Sequence, residues 1–215
     1  MAVTAYAGDA ATKLMDGNKR FASGELCKKD LCKEKRDELT KGQHPFATIL
    51  TCSDSRVSPE ILFDQGLGDV FIVRVAGNVV DEIALGSIEY GVEHLHTPLL
   101  VILGHQSCGA VKATLELTGE PEGNIGAILK KIQPAVATAK ASGKTDSGEL
   151  LNDAIQQNVR NVYDDIMKNS EIVKELVHEG KLEVVTAEYY LGTGEVKLLD
   201  AAKAEHAGHG HEASH

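Results

Sequence analysis

A chain of 215 residues, 42% hydrophobic and 25% charged, is the size of one large domain and carries enough apolar material for a core. Its 22 basic against 32 acidic side chains leave a formal charge of −10, so neither nucleic acid nor an anionic membrane is an expected partner, since both need a basic face. Aromatics at 4%, with no tryptophan, argue against base-stacking platforms, and no apolar run approaches the roughly 20 residues that span a bilayer.

Met1 to Leu14 lacks the charged-then-apolar pattern of a signal peptide, which points to the cytoplasm, or to the periplasm if a signal was removed. Residues 9–24 and 30–41 read as polar, amphipathic helices within an N-terminal arm (1–42), with Gly24 and Gly42 as stops. Phe46–Thr51, Val70–Val75, Pro98–Leu103 and Leu182–Tyr189 are apolar on consecutive positions, the pattern of strands buried on both faces in a parallel sheet. Glu195–Leu199 reads as a short fifth strand after the turn Gly192-Thr193-Gly194. Between them, Ser58-Pro59 reads as an N-cap and first-turn proline. Val80, Ala84, Ile88, Val92 and Leu95, then Leu151, Ile155, Val159, Val162 and Ile166, recur at helical spacing. The alternation predicts an α/β fold over 43–203, with right-handed crossovers and helices on both faces. The tail, 204–215, holds four of the nine histidines among Gly, Ala and Glu and has no apolar period, so it is expected to be disordered.

The four cysteines are too few for a disulfide scaffold and fall into two kinds. Cys27 and Cys32 lie in the charged stretch CKKDLCKEKRDEL. If helical, it would hold their Cα atoms roughly 7.5 Å apart along the axis, and they read as inert thiols. Cys52 and Cys108 keep different company. Ile49-Leu50-Thr51 runs into Cys52-Ser53-Asp54-Ser55-Arg56, and Val101-Ile102-Leu103-Gly104 runs into His105-Gln106-Ser107-Cys108-Gly109. Each places metal-ligand types just past the carboxyl end of a predicted parallel strand, the edge where open α/β sheets bind ligands. If the two strand ends meet, Cys52, His105 and Cys108 form a Cys₂His set. Thiolate with imidazole suits Zn²⁺, and three protein donors leave one position open, the mark of a catalytic zinc.

The rival motifs fail on spacing. Arg56 follows Cys52 by four positions rather than the six of a phosphatase loop, the glycines around Ser107 do not make G-x-S-x-G, and no P-loop is present. Inert buried thiols are the plain alternative, but Asp54 and Arg56 beside them would then be costly.

At these residues the chain resembles the β-class carbonic anhydrases. CSDSRVSPE (Cys52–Glu60) and GHQSCGAVKA (Gly104–Ala113) look like that family's two zinc-binding motifs, with FIVRVAGNVV (Phe71–Val80) between them. The resemblance implies a four-stranded parallel sheet with an antiparallel edge strand, and helices around it. It implies Cys52, His105 and Cys108 as zinc ligands, Asp54 and Arg56 as the dyad beside the metal, and Asp54 as a further ligand in a closed state. Gln43, Phe71, Tyr90 and Gly109 match residues lining the substrate pocket, the glutamine and aromatics tending to come from across a dimer interface. N-terminal helices embrace the partner, so a homodimer or homotetramer is expected. Ile49 stands where the allosteric branch of the family has a tryptophan, and although Arg74 matches that site's arginine, bicarbonate inhibition outside the active site is not expected.

The implied activity is reversible hydration of carbon dioxide to bicarbonate and a proton by a zinc-bound hydroxide, since zinc lowers the pKa of its water from about 15.7 towards about 7. Two thiolates cancel the metal's formal charge, so weaker acidification is expected, with the rate rising on the alkaline side of neutral. Asp54 would orient the hydroxide, and Arg56 would hold Asp54 ionised. The alternatives are hydrolysis of carbonyl sulfide or carbon disulfide on the same scaffold, and a non-catalytic zinc- or bicarbonate-binding module. His94, His96 and His178 read as surface residues.

Overall fold

The computed structural model describes residues 2–121 and 123–200; the histidine-rich tail lies outside them. Two helices come first, α1 (Ala2–Ser23) and α2 (Lys33–Leu39). The five strands are β1 (Ala47–Thr51), β2 (Val70–Arg74), β3 (Leu99–His105), β4 (Glu183–Tyr189) and β5 (Val196–Asp200). They form one sheet in the order β2-β1-β3-β4-β5, with β1 to β4 mutually parallel and β5 antiparallel to β4. The remaining helices are α3 (Pro59–Leu62), α4 (Glu82–Glu89), α5 (Gly109–Leu115), α6 (Ile125–Ala141), α7 (Ser147–Asn169) and α8 (Glu171–His178). Among the described residues no helix is long and apolar enough to cross a membrane.

Both faces of the sheet are covered, which explains the consecutive apolar positions. Every residue of β1 and β3 is buried. Ile49, Val101 and Val185 pack on one face with Leu14 of α1 and Leu62 of α3. Leu50, Ile102 and Val184 pack on the other with Ile88 of α4 and Val159, Val162 and Ile166 of α7. Gly104 lets α7 lie close on β3: a Cβ there would sit 2.5 Å from Val159 Cγ2. Asn18 ties α1 to the rest of the chain, its Nδ2 donating to Leu62 O (3.1 Å) and Gly194 O (2.9 Å), while its Oδ1 accepts from Val196 N–H (2.7 Å).

Several local expectations change. The helix begun at Ser58-Pro59 is a single turn, and the Ser58 side chain makes no capping bond. The helix expected to run to Leu95 is α-helical only to Glu89 and widens into a π-type turn over Tyr90–His94, where Leu95 N–H reaches back to Tyr90 O (3.1 Å). Its start is capped by Asp81, which accepts from Ala84 N–H (2.8 Å). The second arm helix begins at Lys33 rather than residue 30, so Cys27 lies outside any helix and Cys32 at an N-cap, both thiols exposed.

The segment between α1 and α2 is held by one buried carboxylate. Asp64 Oδ2 accepts from Arg20 Nε (2.6 Å), Oδ1 meets Lys29 Nζ at 2.6 Å, and the Cys27 N–H donates to Oδ2 (3.2 Å). Burial pushes this carboxyl up, but the bonds from Lys29 and Arg20 outweigh it and hold it below the usual carboxylate range. Asp64→Asn is expected to cost about 1–3 kcal/mol near neutral pH, less than a fully buried pair because both cations are partly solvated. A carboxyl depressed in the folded state contributes above its unfolded value, about 3.9, and loses that contribution as pH falls through the folded value. Urea titrations of both proteins should therefore diverge at neutral pH and converge in acid; a gap independent of pH would assign the loss to packing.

Candidate metal centre

Register is what assembles the site. Thr51 of β1 lies beside Leu103 of β3, so the chain leaves both strands at the same edge, β1 into Cys52 and β3 through His105 into the turn that carries Cys108. Ser107 sits in that turn with φ +57°, an uncommon conformation for a residue with a side chain, and the chain then turns into α5 at Gly109. The ligand atoms of Cys52, His105 and Cys108 all lie within 4.8 Å of one another, and all three residues are buried. Among the described residues no other three His, Cys, Asp or Glu side chains converge in this way.

The polar atoms of this cluster fit a metal. His105 Nδ1 lies 3.0 Å from the Gln106 carbonyl, which accepts from a ring N–H and so leaves Nε2 with its lone pair. Nε2 is buried without a hydrogen-bond partner, an expensive arrangement unless a cation takes the lone pair. The two thiols are shifted in opposite directions by their proximity. The neighbouring Cys108 thiol holds Cys52 below the usual thiol range, helped by the Gly77 N–H and opposed by burial. Cys108 is pushed up by its bond to Cys52 and by its own burial. A buried anionic thiolate–thiol pair facing an imidazole lone pair is a soft donor set for a divalent cation.

Around the donors, the first loop is braced from three sides. Asp54 Oδ1 accepts from Arg56 Nε (2.9 Å) and from the Arg56 backbone N–H (2.9 Å), and Oδ2 accepts from Arg56 Nη2 (2.7 Å). This bidentate pairing holds the Asp54 carboxyl well below the usual range. Asp54 Oδ2 is 3.9 Å from His105 Nε2, so the carboxylate borders the donor cluster. Arg56 Nη2 also reaches Ser107 O (3.4 Å), joining the two loops. Arg74, at the end of β2, donates from Nε to Cys52 O (3.2 Å) and from Nη2 to Asp54 O (2.8 Å). Gly77, in the short turn Ala76–Asn78, donates its N–H to Cys52 Sγ (3.2 Å). It adopts φ +70°, and a Cβ there would lie 2.7 Å from Ile132 Cδ1 and 3.1 Å from Ala110 Cβ, so only glycine fits without displacement.

The pocket residues expected from sequence are distributed differently. Gly109 directly follows Cys108 and is exposed. Phe71 and Tyr90 pack against each other, ring centroids 6.0 Å apart, with Phe71 three residues before the carboxyl end of β2. Tyr90 is 47% exposed and stacks on His94 at 5.3 Å, and Gln43 is exposed in the loop before β1. His96 and His178 are exposed, as expected. Two contributors had little sequence signal. Gly77 carries no side chain to mark a role, yet its N–H meets a donor sulfur. Asn158 is a buried polar residue in the apolar stripe of α7, three positions after Ile155, and its Nδ2 donates to Gly77 O (2.9 Å).

Comparison with known proteins places this geometry. Residues 47–196 match the family model described as carbonic anhydrase. The carbonic anhydrase of Mycolicibacterium smegmatis is 41% identical over 86% of this chain and 89% of its own length. Among solved structures, a β-carbonic anhydrase of Aspergillus fumigatus superposes with a TM-score of 0.73 at 28% identity, covering 90% of this chain and 92% of that one. The tetrameric β-carbonic anhydrases of Sordaria macrospora give 0.71 at 28% identity, over 76% and 85%. With three buried donors at the shared edge of β1 and β3 and this likeness along most of its length, the chain belongs to the β-class carbonic anhydrase family.

Proposed function

We propose a division of labour among the residues of this site, within an activity that family membership fixes: the zinc-dependent, reversible hydration of carbon dioxide to bicarbonate and a proton. The convergence of Cys52, His105 and Cys108, with Nε2 of the histidine buried and unpartnered, carries the reading. These three side chains hold the zinc. Bound there, the ion supplies the Lewis acidity that makes hydroxide available near neutral pH.

The protein's own groups do the rest. Asp54 accepts a hydrogen bond from the attacking oxygen at Oδ2 and so directs a lone pair at the carbon of carbon dioxide. Arg56 keeps that carboxylate ionised and fixes its plane through two parallel bonds. Val79, Val111 and Ile132 pack around the two cysteines and exclude water on that side. The pairing with Arg56 is the arrangement of an open site. Recruiting Asp54 as a fourth donor would break both charge-assisted bonds, and the closed state therefore competes directly with Arg56.

The substrate pocket is completed by a second copy of the chain. Phe71 and Tyr90 lie at β2, the edge strand of the sheet, and Leu26, Leu31, Ile61 and Leu67 leave an apolar surface beside the arm. Residues 1–42 and the β2 edge thus form the surface that meets the partner in a homodimer, or in a tetramer as in the Sordaria macrospora proteins. Gln43, Phe71 and Tyr90 reach the partner's site, and residues 43–203 form the catalytic unit.

Three measurements test this reading. Asp54→Asn should lower hydration by about 100-fold or more while zinc content by elemental analysis stays near stoichiometric; loss of metal in that variant would show that Asp54 acts through ligation. Stripping zinc with a chelator should lower Tm by about 8–16 °C relative to protein at free zinc 1,000-fold above Kd, reversibly on adding zinc. Finally, Asp54→Asn chains and Gln43→Ala chains, each poorly active alone, should complement when unfolded together and refolded. A mixed dimer has one intact site if Gln43 serves the partner, so about one quarter of wild-type activity should return. No recovery would place Gln43 in its own chain's site, and wild-type activity of Gln43→Ala alone would place it outside catalysis.

A further inference from the structure

We infer that Asn158, on α7, is a positioning residue for Cys52, acting through Gly77. The inference rests on Cys52 being a zinc ligand, as proposed above. Asn158 Nδ2 donates to Gly77 O (2.9 Å), and the Gly77 N–H donates to Cys52 Sγ (3.2 Å). The two bonds leave opposite sides of one Cα, so the side chain of α7 and the ligand sulfur are linked through a single backbone residue. Gly77 and Asn78 both adopt left-handed conformations, φ +70° and +46°, a turn with little intrinsic preference for one orientation. Its following peptide is held twice, by Asn158 on the carbonyl and by the Asn78 N–H donating to Val75 O (2.8 Å). That leaves the Gly77 N–H aimed at the sulfur.

The rest of α7 shows why the link is firm. Ile155, Val159 and Val162 bury the same stripe in the core, and Val159 sits against Gly104, the residue before His105. One helix thus sets the height of the strand that carries His105 and leads into Cys108 and, through Asn158, the direction of the bond received by Cys52. Asn158 is itself 1% exposed, and a carboxamide in that stripe is costly unless its donor is used. A backbone N–H on a ligand sulfur draws charge from it and restricts its rotation. Outer-shell bonds of this kind change metal affinity by about 10- to 100-fold.

The test replaces Asn158 in the full-length enzyme by Leu, which keeps the volume, and by Asp, which keeps the shape but turns the donor into an acceptor. Asn18→Leu serves as control, since Asn18 is equally buried but bonds Leu62, Gly194 and Val196 instead. Both Asn158 variants should release zinc to a chelator about 10- to 100-fold faster than wild type. With cobalt in place of zinc, their thiolate-to-metal charge-transfer band should shift. Asn18→Leu should lose stability while release rate and band stay as in wild type. Folded Asn158 variants with wild-type release and an unshifted band would overturn the inference. Wild-type protein that takes up no zinc would remove the ligand assignment and this inference together. If neither Asn158 variant folds, NMR of cadmium-substituted wild type decides: the Gly77 amide proton should show scalar coupling to the metal across the N–H···S bond, and absence of that coupling overturns the inference.

Discussion

Two thiols and an imidazole lone pair cannot be buried against one another cheaply. Cys52, His105 and Cys108 are almost wholly removed from solvent, their donor atoms within 4.8 Å, and one ring nitrogen has no protein partner. Without a cation the arrangement leaves two sulfurs buried side by side and one lone pair unsatisfied. A divalent ion removes both penalties at once, which makes this cluster a binding site by its energetics as much as by its residue types. The neighbouring features follow from the need to hold these atoms in place before the ion arrives.

The sheet does most of that holding. Parallel pairing of β1 with β3 brings the two loops to one edge, and complete burial of both strands makes a slip in register expensive. The loops themselves are short and braced by groups from elsewhere. Arg74 grips two carbonyls of the Cys52–Asp54 segment from β2, and Arg56 bridges that segment to Ser107 in the other loop. Rigid strands thus set the coarse position, and the Arg74 and Arg56 side chains set the fine one.

What the sequence could disclose follows the same division. Consecutive apolar residues such as Leu99 to Leu103 announce a doubly covered strand because burial on both faces leaves no polar alternation, and the four parallel strands lie close to where that pattern puts them. Cys52, His105, Cys108, Asp54 and Arg56 are legible because their chemistry is written within two short segments. The Gly77–Cys52 bond is not, since it depends on a backbone conformation and on Asn158, which lies 81 positions further along. Short or irregular elements also escape. A proline sits inside α6, α3 is a single turn, and the π-type turn at Tyr90 has the periodicity of a helix without its spacing. Phe71 and Tyr90 raise a different problem: they pack on each other beside the edge strand β2, and the role proposed for them calls for a second copy of the chain.

The electrostatics around Asp54 explain why this site can be both stable and reactive. Two thiolates cancel the charge of a divalent ion, so they make a tightly held metal and, by themselves, a weak acidifier of its surroundings. The chain answers with a full carboxylate at the margin of the donors, 3.9 Å from His105 Nε2. Left free, that carboxylate would be an attractive fourth donor, and the metal would become a structural one. Arg56 offers that carboxylate two parallel bonds and a backbone N–H from two positions away, and in the mechanism proposed above this is what keeps it off the metal. The pair is short-range, so little entropy is lost in forming it, and it is half open to solvent on the arginine side, so it can be broken without leaving a buried cation behind. On the proposed mechanism, the distinction between a catalytic and a closed zinc rests on a local competition for one carboxylate, one that can be tilted without disturbing the sheet beneath it.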